Sequence, residues 1–310
     1  MKEYPMTFSE FTARFETEEQ CRSYLRDLRW PDGFVCPRCG EARDAWTVNG
    51  TLYTCKACRH QTSVTAGTIF HGTRKPLKEW FIAIWWVATQ KNGASAMGLQ
   101  RVLGLKSYTT AWTWMHKIRK AMVHPDRTRL SGTVEAGECY IGGEEHGGRR
   151  GRGTGNKSIV AVGVELAGGR NRLGRVRMLA VPDASGGSLV DGFIKGSVEP
   201  GSTVVTDGWG GFSRVGASGY LHVVPKGHEV ADPENPLPHV HMIVSLLKRW
   251  LPGTHQGAVQ DVHLQAYLDE YVFRFNRRKS ADRGLLFYRL LECAMQVPPT
   301  TQDELLGHKG

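Results

Sequence analysis

Four of the seven cysteines form two closely spaced pairs, a pattern typical of a zinc site. Cys36 and Cys39 flank Pro-Arg, and Cys55 and Cys58 flank Lys-Ala, so the spacing is C-x2-C-x15-C-x2-C. Two such turns place four thiolates tetrahedrally around Zn²⁺, and Gly40 eases the first turn. Four thiolates leave no open position for substrate, so the predicted zinc is structural. Buried structural cysteines or a redox pair are the alternatives, and no βαβ unit surrounds either pair to favour redox chemistry.

A carboxylate at the end of a predicted strand is the second chemical feature. Residues 203–206 are all β-branched, Asp207 follows them, and a glycine-rich turn comes next. A carboxylate in that position can point into a cleft and bind a hard cation. Residues 239–250 are predicted to form a helix that brings a second ligand to the same cleft. Together these features predict a metal-dependent enzyme that acts on nucleic acid.

The composition predicts about two domains and a polyanionic partner. The chain has 310 residues, with 40 Lys+Arg against 30 Asp+Glu, a net charge of +10 and a pI near 9.3. This balance favours nucleic acid, and a generic basic surface remains the alternative. The chain starts without the apolar core of a secretory signal, and the apolar run 80–88 is too short to span a bilayer. We therefore expect a cytoplasmic, nucleoid-associated protein with no membrane partner.

The first third of the chain is predicted to be helical around the zinc ribbon. Residues 1–30 have apolar residues near helical spacing, with a capping box at 17–20. Two short strands flank Asn49-Gly50 between the cysteine pairs. Residues 78–90 form a tryptophan-rich helix whose spacing favours core packing over stacking on bases.

Residues 95–122 are predicted to form two helices, 95–103 and 108–122, in a helix-turn-helix arrangement. We expect Lys117, Arg119 and Lys120 on the second helix to contact DNA. A plain helical hairpin with a solvated basic face is the alternative. The positions predicted to be core are Leu99, Val102, Leu103, Trp112, Met115 and Ile118.

The remaining elements predict an RNase H-like mixed α/β sheet. Three consecutive strands, 133–141, 158–166 and 175–181, precede a short helix at 188–195 and the strand that ends at Asp207. A helix at 239–251 ends at Pro252-Gly253, and a helix at 261–278 follows. A closing helix at 284–296 is expected to pack on the same core. The predicted domains are 1–74 (helix and zinc ribbon), 75–125 (helical linker), 126–296 (RNase H-like domain) and 297–310 (tail).

Further basic residues are predicted to contact the DNA backbone. The glycine-rich stretch 142–156 suits a flexible phosphate contact, and a solvated surface loop is the alternative. The residues predicted for this role are Arg149, Arg150, Arg152, Lys157, Arg249, Arg277 and Arg278.

Four sequence segments resemble bacterial insertion-sequence transposases of the ISXO type. They are Val134–Gly143, Thr206–Trp209, Leu247–Gly257 and His263–Arg278, and with the zinc ribbon and helical linker the resemblance covers roughly residues 8–292. It implies a DDE-type recombinase, in which two Mg²⁺ or Mn²⁺ ions held by an RNase H-like fold cut and join DNA. The implied partners are double-stranded DNA at the element's ends and its target, bound by a homodimer or a larger complex.

The resemblance also implies a defect in the acidic triad. The family's first Asp falls at Gly137, and the second is present as Asp207. The third ligand, Glu, falls at about His241, while the Asn of the ISXO subgroup falls at Leu246. Lys248 matches the basic residue of the same helix.

Glycine has no oxygen ligand, so we expect an impaired metal centre. Glu135 lies on the same strand face as Gly137 and is the candidate substitute, whereas Glu138 faces the opposite side. His241 suits Mg²⁺ poorly, and a histidine satisfied beside the cleft is the alternative to a ligand. The predicted catalytic residues are Asp207, which would bind Mg²⁺, Glu135, His241 and Lys248.

Three functions remain open at the level of sequence. The first is a transposase with impaired strand cleavage, and the second is a DNA-binding protein without catalysis. The third is a zinc-ribbon protein that docks other proteins. Divalent-dependent cleavage separates the first two, and salt-dependent binding to duplex DNA separates both from the third.

Overall fold

The computed structural model describes residues 4–42, 45–48, 50–124, 126–142, 157–168, 172–226, 232, 235–255 and 261–306. The chain divides into two compact units. The first comprises Met1–Pro125 with Ser280–Gly310, and the second comprises Asp126–Lys279. Within the described part of the chain, no helix combines the length and apolar character needed to cross a membrane.

The first unit is a set of helices with a small antiparallel sheet between the second and third. Its helices are α1 (Phe8–Arg14), α2 (Glu18–Arg29), α3 (Leu77–Thr89), α4 (Ala96–Leu103), α5 (Tyr108–Ala121), α9 (Arg283–Gln296) and α10 (Gln302–Leu306). Its strands are β1 (Trp46–Val48), β2 (Leu52–Thr54) and β3 (Gln61–Ser63), in that spatial order.

Aromatic rings hold the helices of the first unit together. Phe11 packs against Trp85 at 4.8 Å between ring centroids, and Phe15 packs against Phe81 at the same distance. Phe287 of α9 contacts Phe11 edge-on at 5.4 Å. The expectation that the closing helix packs with the helix at 261–278 is therefore wrong, because its aromatic side chain belongs to this cluster. The buried Trp85 also confirms core packing for the tryptophan-rich helix.

Side chains cap the helix starts in this unit. The predicted capping box is present, since Thr17 accepts from Gln20 N–H while the Gln20 side chain accepts from Thr17 N–H. Glu18 extends the same principle to another helix, because its carboxylate accepts from the N–H groups of Leu77 at 2.8 Å and Lys78 at 3.3 Å. A negative charge at a helix start satisfies free donors and opposes the positive end of the helix dipole.

The helix pair α4–α5 forms as expected, although its core is smaller. Leu99, Met115 and Ile118 are fully buried, but Val102 is 51 % exposed. The prediction for Val102 is wrong because α4 has only eight residues and turns positions 96, 99 and 103 inward. Leu103 and Trp112 are half-buried.

The second unit is a five-stranded mixed sheet with helices on both faces. Its strands are β4 (Thr133–Ile141), β5 (Ser158–Leu166), β6 (Leu173–Val181), β7 (Thr203–Val205) and β8 (Leu221–Val223). Its helical elements are a π-helix (Gly187–Ile194), α6 (Lys195–Ser197), α7 (Pro238–His255) and α8 (Leu264–Asn276). The spatial order is β6-β5-β4-β7-β8, antiparallel for the first three strands and parallel for the last three. This is the predicted RNase H-like arrangement, with an edge strand, β8, that the sequence analysis did not predict.

The two faces of the sheet carry separate apolar cores. Helices α7 and α8 cover one face, and the π-helix covers the other. Helix α7 continues through Pro252 to His255, so the expected break at Pro252-Gly253 is wrong. Leu247 and Leu251 are buried against the sheet on α7, and this packing holds its last turns although Pro252 lacks an N–H.

Helix α8 protects the open edge of β6. Asn276 accepts from Val176 N–H at 2.7 Å and donates to the Val176 carbonyl at 3.0 Å. Gln265 accepts from Ala180 N–H at 2.9 Å. Side chains of α8 thus satisfy backbone groups that would otherwise form an unpaired sheet edge.

A bidentate ion pair fastens the start of the sheet. The Glu165 carboxylate contacts Nη2 of Arg175 at 2.6 Å and Nε at 2.8 Å, and it accepts from Ser131 N–H at 3.0 Å. Burial opposes the charge on Glu165, but Arg175 and Ser131 outweigh it and lower the pKa of Glu165 to about 2.

We expect Glu165→Gln to lower the free energy of unfolding at pH 7 by about 1–2 kcal/mol, since one charge-assisted pair is lost at a partly solvated site. The folded pKa lies below the ordinary value of 4.5. The stabilisation is therefore complete above pH 4.5 and disappears as the pH falls toward 2. Urea denaturation of both proteins between pH 2.5 and 7 measures this difference. A difference that stayed constant with pH would contradict the assignment.

Candidate functional site

The four cysteines of the predicted zinc ribbon lie together. Sγ of Cys36 is 3.7 Å from Sγ of Cys58, and Sγ of Cys39 is 3.7 Å from Sγ of Cys55. All four sulfurs lie within 4.8 Å of one another. A tetrahedron with Zn–S bonds of 2.3 Å has edges of about 3.8 Å, so the two measured pairs match it and the cluster is consistent with a structural zinc ion.

The two cysteine turns have matching backbone geometry. In the first, Gly40 N–H donates to the Cys36 carbonyl at 2.9 Å, and in the second, Arg59 N–H donates to the Cys55 carbonyl at 3.0 Å. Gly40 has φ +72°, as expected for this glycine, and Arg59 has φ +59° at the equivalent position. The guanidinium of Arg59 lies 4.6 Å from the ring centre of Trp46. This cation–π contact helps to hold a conformation that non-glycine residues rarely adopt.

The thiols of the cluster differ in acidity. Burial opposes ionisation of Cys36, yet the N–H groups of Cys39 and Arg38 lower its pKa to about 7. The N–H of Glu41 favours ionisation of Cys39, but the surrounding sulfurs of Cys58, Cys36 and Cys55 raise its pKa to about 12. Four thiolates this close repel one another, and a divalent cation removes that conflict.

The predicted catalytic strands are neighbours in the second unit. β4 and β7 are parallel, with Glu135 paired to Val205. Continuing this register by two residues places Gly137 beside Asp207. Asp207 is exposed where β7 ends, and its Oδ1 accepts from Trp209 N–H at 3.0 Å.

Glu135 is committed to helix α7. One carboxylate oxygen accepts from the N–H groups of His239 at 2.9 Å and Val240 at 3.1 Å. The other lies 2.6 Å from Nδ1 of His239. Only 5 % of Glu135 is exposed. Both oxygens bind the first turn of α7, so the role of Glu135 as a substitute ligand stays a prediction that would require these contacts to break.

Apolar side chains occupy the space in front of Gly137. A Cβ at this position would lie 3.2 Å from Cδ1 of Leu237 and 3.3 Å from Cγ1 of Val240. Both residues are buried. The Cβ of any larger residue here would require these two side chains to move by a few tenths of an ångström.

The two remaining catalytic candidates lie on the exposed side of α7. His241 is exposed, and its Nδ1 lies 2.5 Å from Oδ1 of Asn235. Lys248 is exposed and acts electrostatically on Cys139, two residues beyond Gly137 on β4. Burial raises the pKa of the Cys139 thiol to about 12, and the charge of Lys248 opposes that rise.

These side chains do not fit a pair of Mg²⁺ ions. Glu135 is bound to α7, which leaves Asp207 as the other carboxylate of the predicted set, and an imidazole at position 241 is a poor Mg²⁺ ligand. Across the described residues, the zinc-ribbon cysteines are the one group of three or more His, Cys, Asp or Glu side chains close enough to share an ion.

Several residues predicted to contact DNA have partners within the protein, although Lys120 and Arg278 are exposed and stay predictions. Arg119 is 1 % exposed, so the prediction that it contacts DNA is wrong. Lys120 donates to Oγ1 of Thr300 at 2.8 Å, and Lys117 is half-buried, with its pKa lowered by burial. Arg278 donates to the carbonyl of Leu173 at 2.6 Å and so closes the start of β6.

The other predicted contacts divide between described and undescribed parts of the chain. Arg249 is exposed on α7, Lys157 is half-buried before β5, and Arg277 lies over the Phe273 ring. Arg149, Arg150 and Arg152 lie outside the described residues, so the glycine-rich loop stays a prediction.

A four-cysteine ribbon followed by an RNase H-like sheet defines the DDE transposase class of domain architecture. The comparison with protein families agrees with this. Residues 16–61 match a transposase zinc-ribbon domain, and residues 129–276 match an ISXO2-like transposase domain. The chain belongs to the ISXO2-like (IS1595) transposases, as the sequence resemblance indicated.

A distant relative supports the same conclusion. The chain is 24 % identical over 280 residues to an uncharacterized protein in transposable element ISH50 of Halobacterium salinarum. The alignment covers 84 % of this chain and 91 % of that protein. No solved structure matches the chain.

Sequence reasoning missed the residues that organise the centre. Three of these residues, Leu237, His239 and Val240, fix how α7 meets β4. Glu135 lies 104 positions before His239, so no spacing rule links it to them. A signal was available only in hindsight, since a buried strand that contains Glu requires a partner for its charge.

We expect one zinc ion per chain, lost on Cys58→Ser. Losing one of four thiolates leaves an incomplete site and unfolds the ribbon, whose small sheet buries few apolar side chains. Inductively coupled plasma mass spectrometry counts the metal. Tryptophan fluorescence, compared between the chain and a variant that lacks Trp46, reports unfolding of the ribbon. Cys21→Ser, which alters a buried cysteine on α2 outside the cluster, is the matched control and should retain zinc.

We expect Glu135→Gln to lower the free energy of unfolding by about 1–3 kcal/mol, because an amide presents one acceptor oxygen to three donors and places N–H groups near them. Urea denaturation measures the loss. His239→Ala removes only the ring contact and should cost less. An equal or larger loss for His239→Ala would show that the backbone contacts of Glu135 are unimportant.

Proposed function

We propose that this chain binds the terminal inverted repeats of an insertion sequence as a transposase whose two-metal strand cleavage and joining are impaired. Gly137 carries the proposal, since it stands where the resemblance places the first metal-binding Asp. The packing of Leu237 and Val240 against Gly137 supports it, because side chains rather than a polar cleft occupy that position.

The engagement of Glu135 supports the proposal from a second direction. A carboxylate two residues from Gly137 would be the simplest replacement ligand. Its oxygens are held by N–H groups of His239 and Val240. Moving it toward Asp207 would leave these donors unsatisfied inside the unit, at a cost of about 1–3 kcal/mol each.

DNA binding does not depend on the triad, so it is proposed to be retained. The net charge of +10 favours a polyanion. Fluorescence anisotropy with a labelled duplex that spans a terminal repeat of the encoding element tests this, with a shuffled duplex as control. We expect tighter binding to the repeat and a linear fall of log K with log salt. Equal, salt-independent binding of both duplexes would contradict the proposal.

We expect strand cleavage by the wild-type chain in Mg²⁺ or Mn²⁺ to equal that of Asp207→Asn. The double variant Gly137→Asp/His241→Glu should exceed this background by at least about 100-fold, because it restores oxygen ligands at both altered positions. Adding Asp207→Asn to the double variant should abolish the gain. Gel analysis of the labelled repeat measures all four proteins.

Gly137→Ala is the matched control for packing, since it adds only the Cβ that meets Leu237 and Val240. It should lower thermal stability without creating cleavage. Divalent-dependent cleavage by the wild-type chain that Asp207→Asn abolishes would overturn the proposed impairment.

A further inference from the structure

The helix pair α4–α5 carries an exposed surface that neither family match includes. The matches cover residues 16–61 and 129–276, and the pair lies between them. The surface comprises Met97, Arg101 and Val102 on α4, with residues 106–109 at the turn and the start of α5. We name it the turn surface.

The turn surface combines positive charge with exposed apolar groups. Arg101 and Lys106 are exposed, and neither forms an ion pair with any residue that the structure describes. Met97 is 46 % exposed, Val102 51 % and Tyr108 50 %. The turn surface thus places two cations that form no described ion pair beside exposed apolar and aromatic side chains.

The surrounding sequence has no negative charge to compete for these cations. Between Glu79 and Asp126 the chain contains Lys and Arg residues but no Asp or Glu. A second copy of the chain would place the same cations opposite each other and be repelled. A polyanion is attracted, so charge complementarity selects nucleic acid.

The helix geometry points to duplex DNA. Gly104 ends α4 in the left-handed conformation with φ +61°, and α5 begins four residues later. In helix-turn-helix proteins the first residues of the second helix meet the base edges. Here these residues are Tyr108 and Thr109, which are exposed and offer hydroxyl groups.

The other end of α5 presents fewer accessible cations, although Lys120 is exposed there. Arg119 is buried, and Lys120 donates to Thr300. Lys117 is half-buried and feels the charge of Glu304 on α10. Of the cations that the sequence favoured, Arg119 is buried, Lys117 is half-buried and the exposed Lys120 donates to Thr300. At the turn, Arg101 and Lys106 are both exposed, and Arg101 donates only weakly, to Sδ of Met97 at 3.4 Å.

We propose that the turn surface is the DNA-contacting face of the helix pair, with Arg101 and Lys106 on phosphates and Tyr108 and Thr109 toward base edges. This inference rests on the proposed DNA-binding function and identifies the surface that performs it.

Two charge-matched variants of the full chain test the inference. Arg101→Ala/Lys106→Ala and Lys117→Ala/Lys120→Ala each remove two positive charges from the same helix pair. Anisotropy titrations with the terminal-repeat duplex between 50 and 200 mM KCl give the affinity and its salt slope. Circular dichroism melting checks that each protein is folded.

We expect the Arg101/Lys106 variant to bind about tenfold more weakly or worse, with a salt slope reduced by about two. The Lys117/Lys120 variant should change both quantities little. Tyr108→Ala should reduce the preference for the repeat over a shuffled duplex while leaving the salt slope near the wild-type value. These differences are not produced by a purely structural role of the helices.

Equal losses in the two paired variants, or a larger loss for Lys117/Lys120, would overturn the inference while leaving DNA binding intact. If Arg101→Ala/Lys106→Ala changed self-association in sedimentation but not DNA affinity, the turn surface would be a contact between copies, which also overturns it. Absence of salt-dependent binding by the wild-type chain would instead refute the proposed function.

Discussion

The contact between Glu135 and the first turn of α7 is the constraint on which the second unit depends. A carboxylate buried in a sheet is costly unless donors surround it, and the start of α7 supplies two N–H groups and an imidazole. This contact fixes where α7 lies on β4, and it therefore sets Leu237 and Val240 over Gly137 and turns His241 outward. Glu18 fastens α3 in the first unit by the same chemistry.

The zinc ribbon and the predicted catalytic site differ in how far their ligands lie apart in the sequence. The four zinc-ribbon cysteines come from two short turns, each held by its own backbone hydrogen bonds, so local sequence assembles the site. A catalytic centre of the DDE class requires carboxylates from separate strands and a helix, so it depends on contacts that form only after the chain folds. In this chain Leu237 and Val240 pack in front of Gly137.

Basic residues in the family motifs stabilise the fold in addition to giving the protein its positive charge. Arg278 ties its helix end to the start of β6, and Asn276 beside it satisfies the open strand edge. The motif at 263–278 was specific enough to indicate the family, and its polar residues are specific because a sheet edge needs donors and acceptors at fixed spacing. Arg119 shows that positive charge alone does not identify a DNA contact, because this side chain is buried inside the protein.

The sequence by itself determined the four clustered cysteines, four of the five strands of the larger sheet and the position of Asp207 at the end of β7, but not the edge strand β8. Cysteine spacing, β-branched runs and glycine turns are local, and local chemistry decides them. It did not determine that Glu135 binds α7, that Val102 is exposed, that α7 passes through Pro252, or that the helix at 283–296 packs with the first unit. Each of these depends on which surfaces meet after the chain folds, and only the tertiary structure brings residues such as Glu135 and His239 within hydrogen-bonding distance.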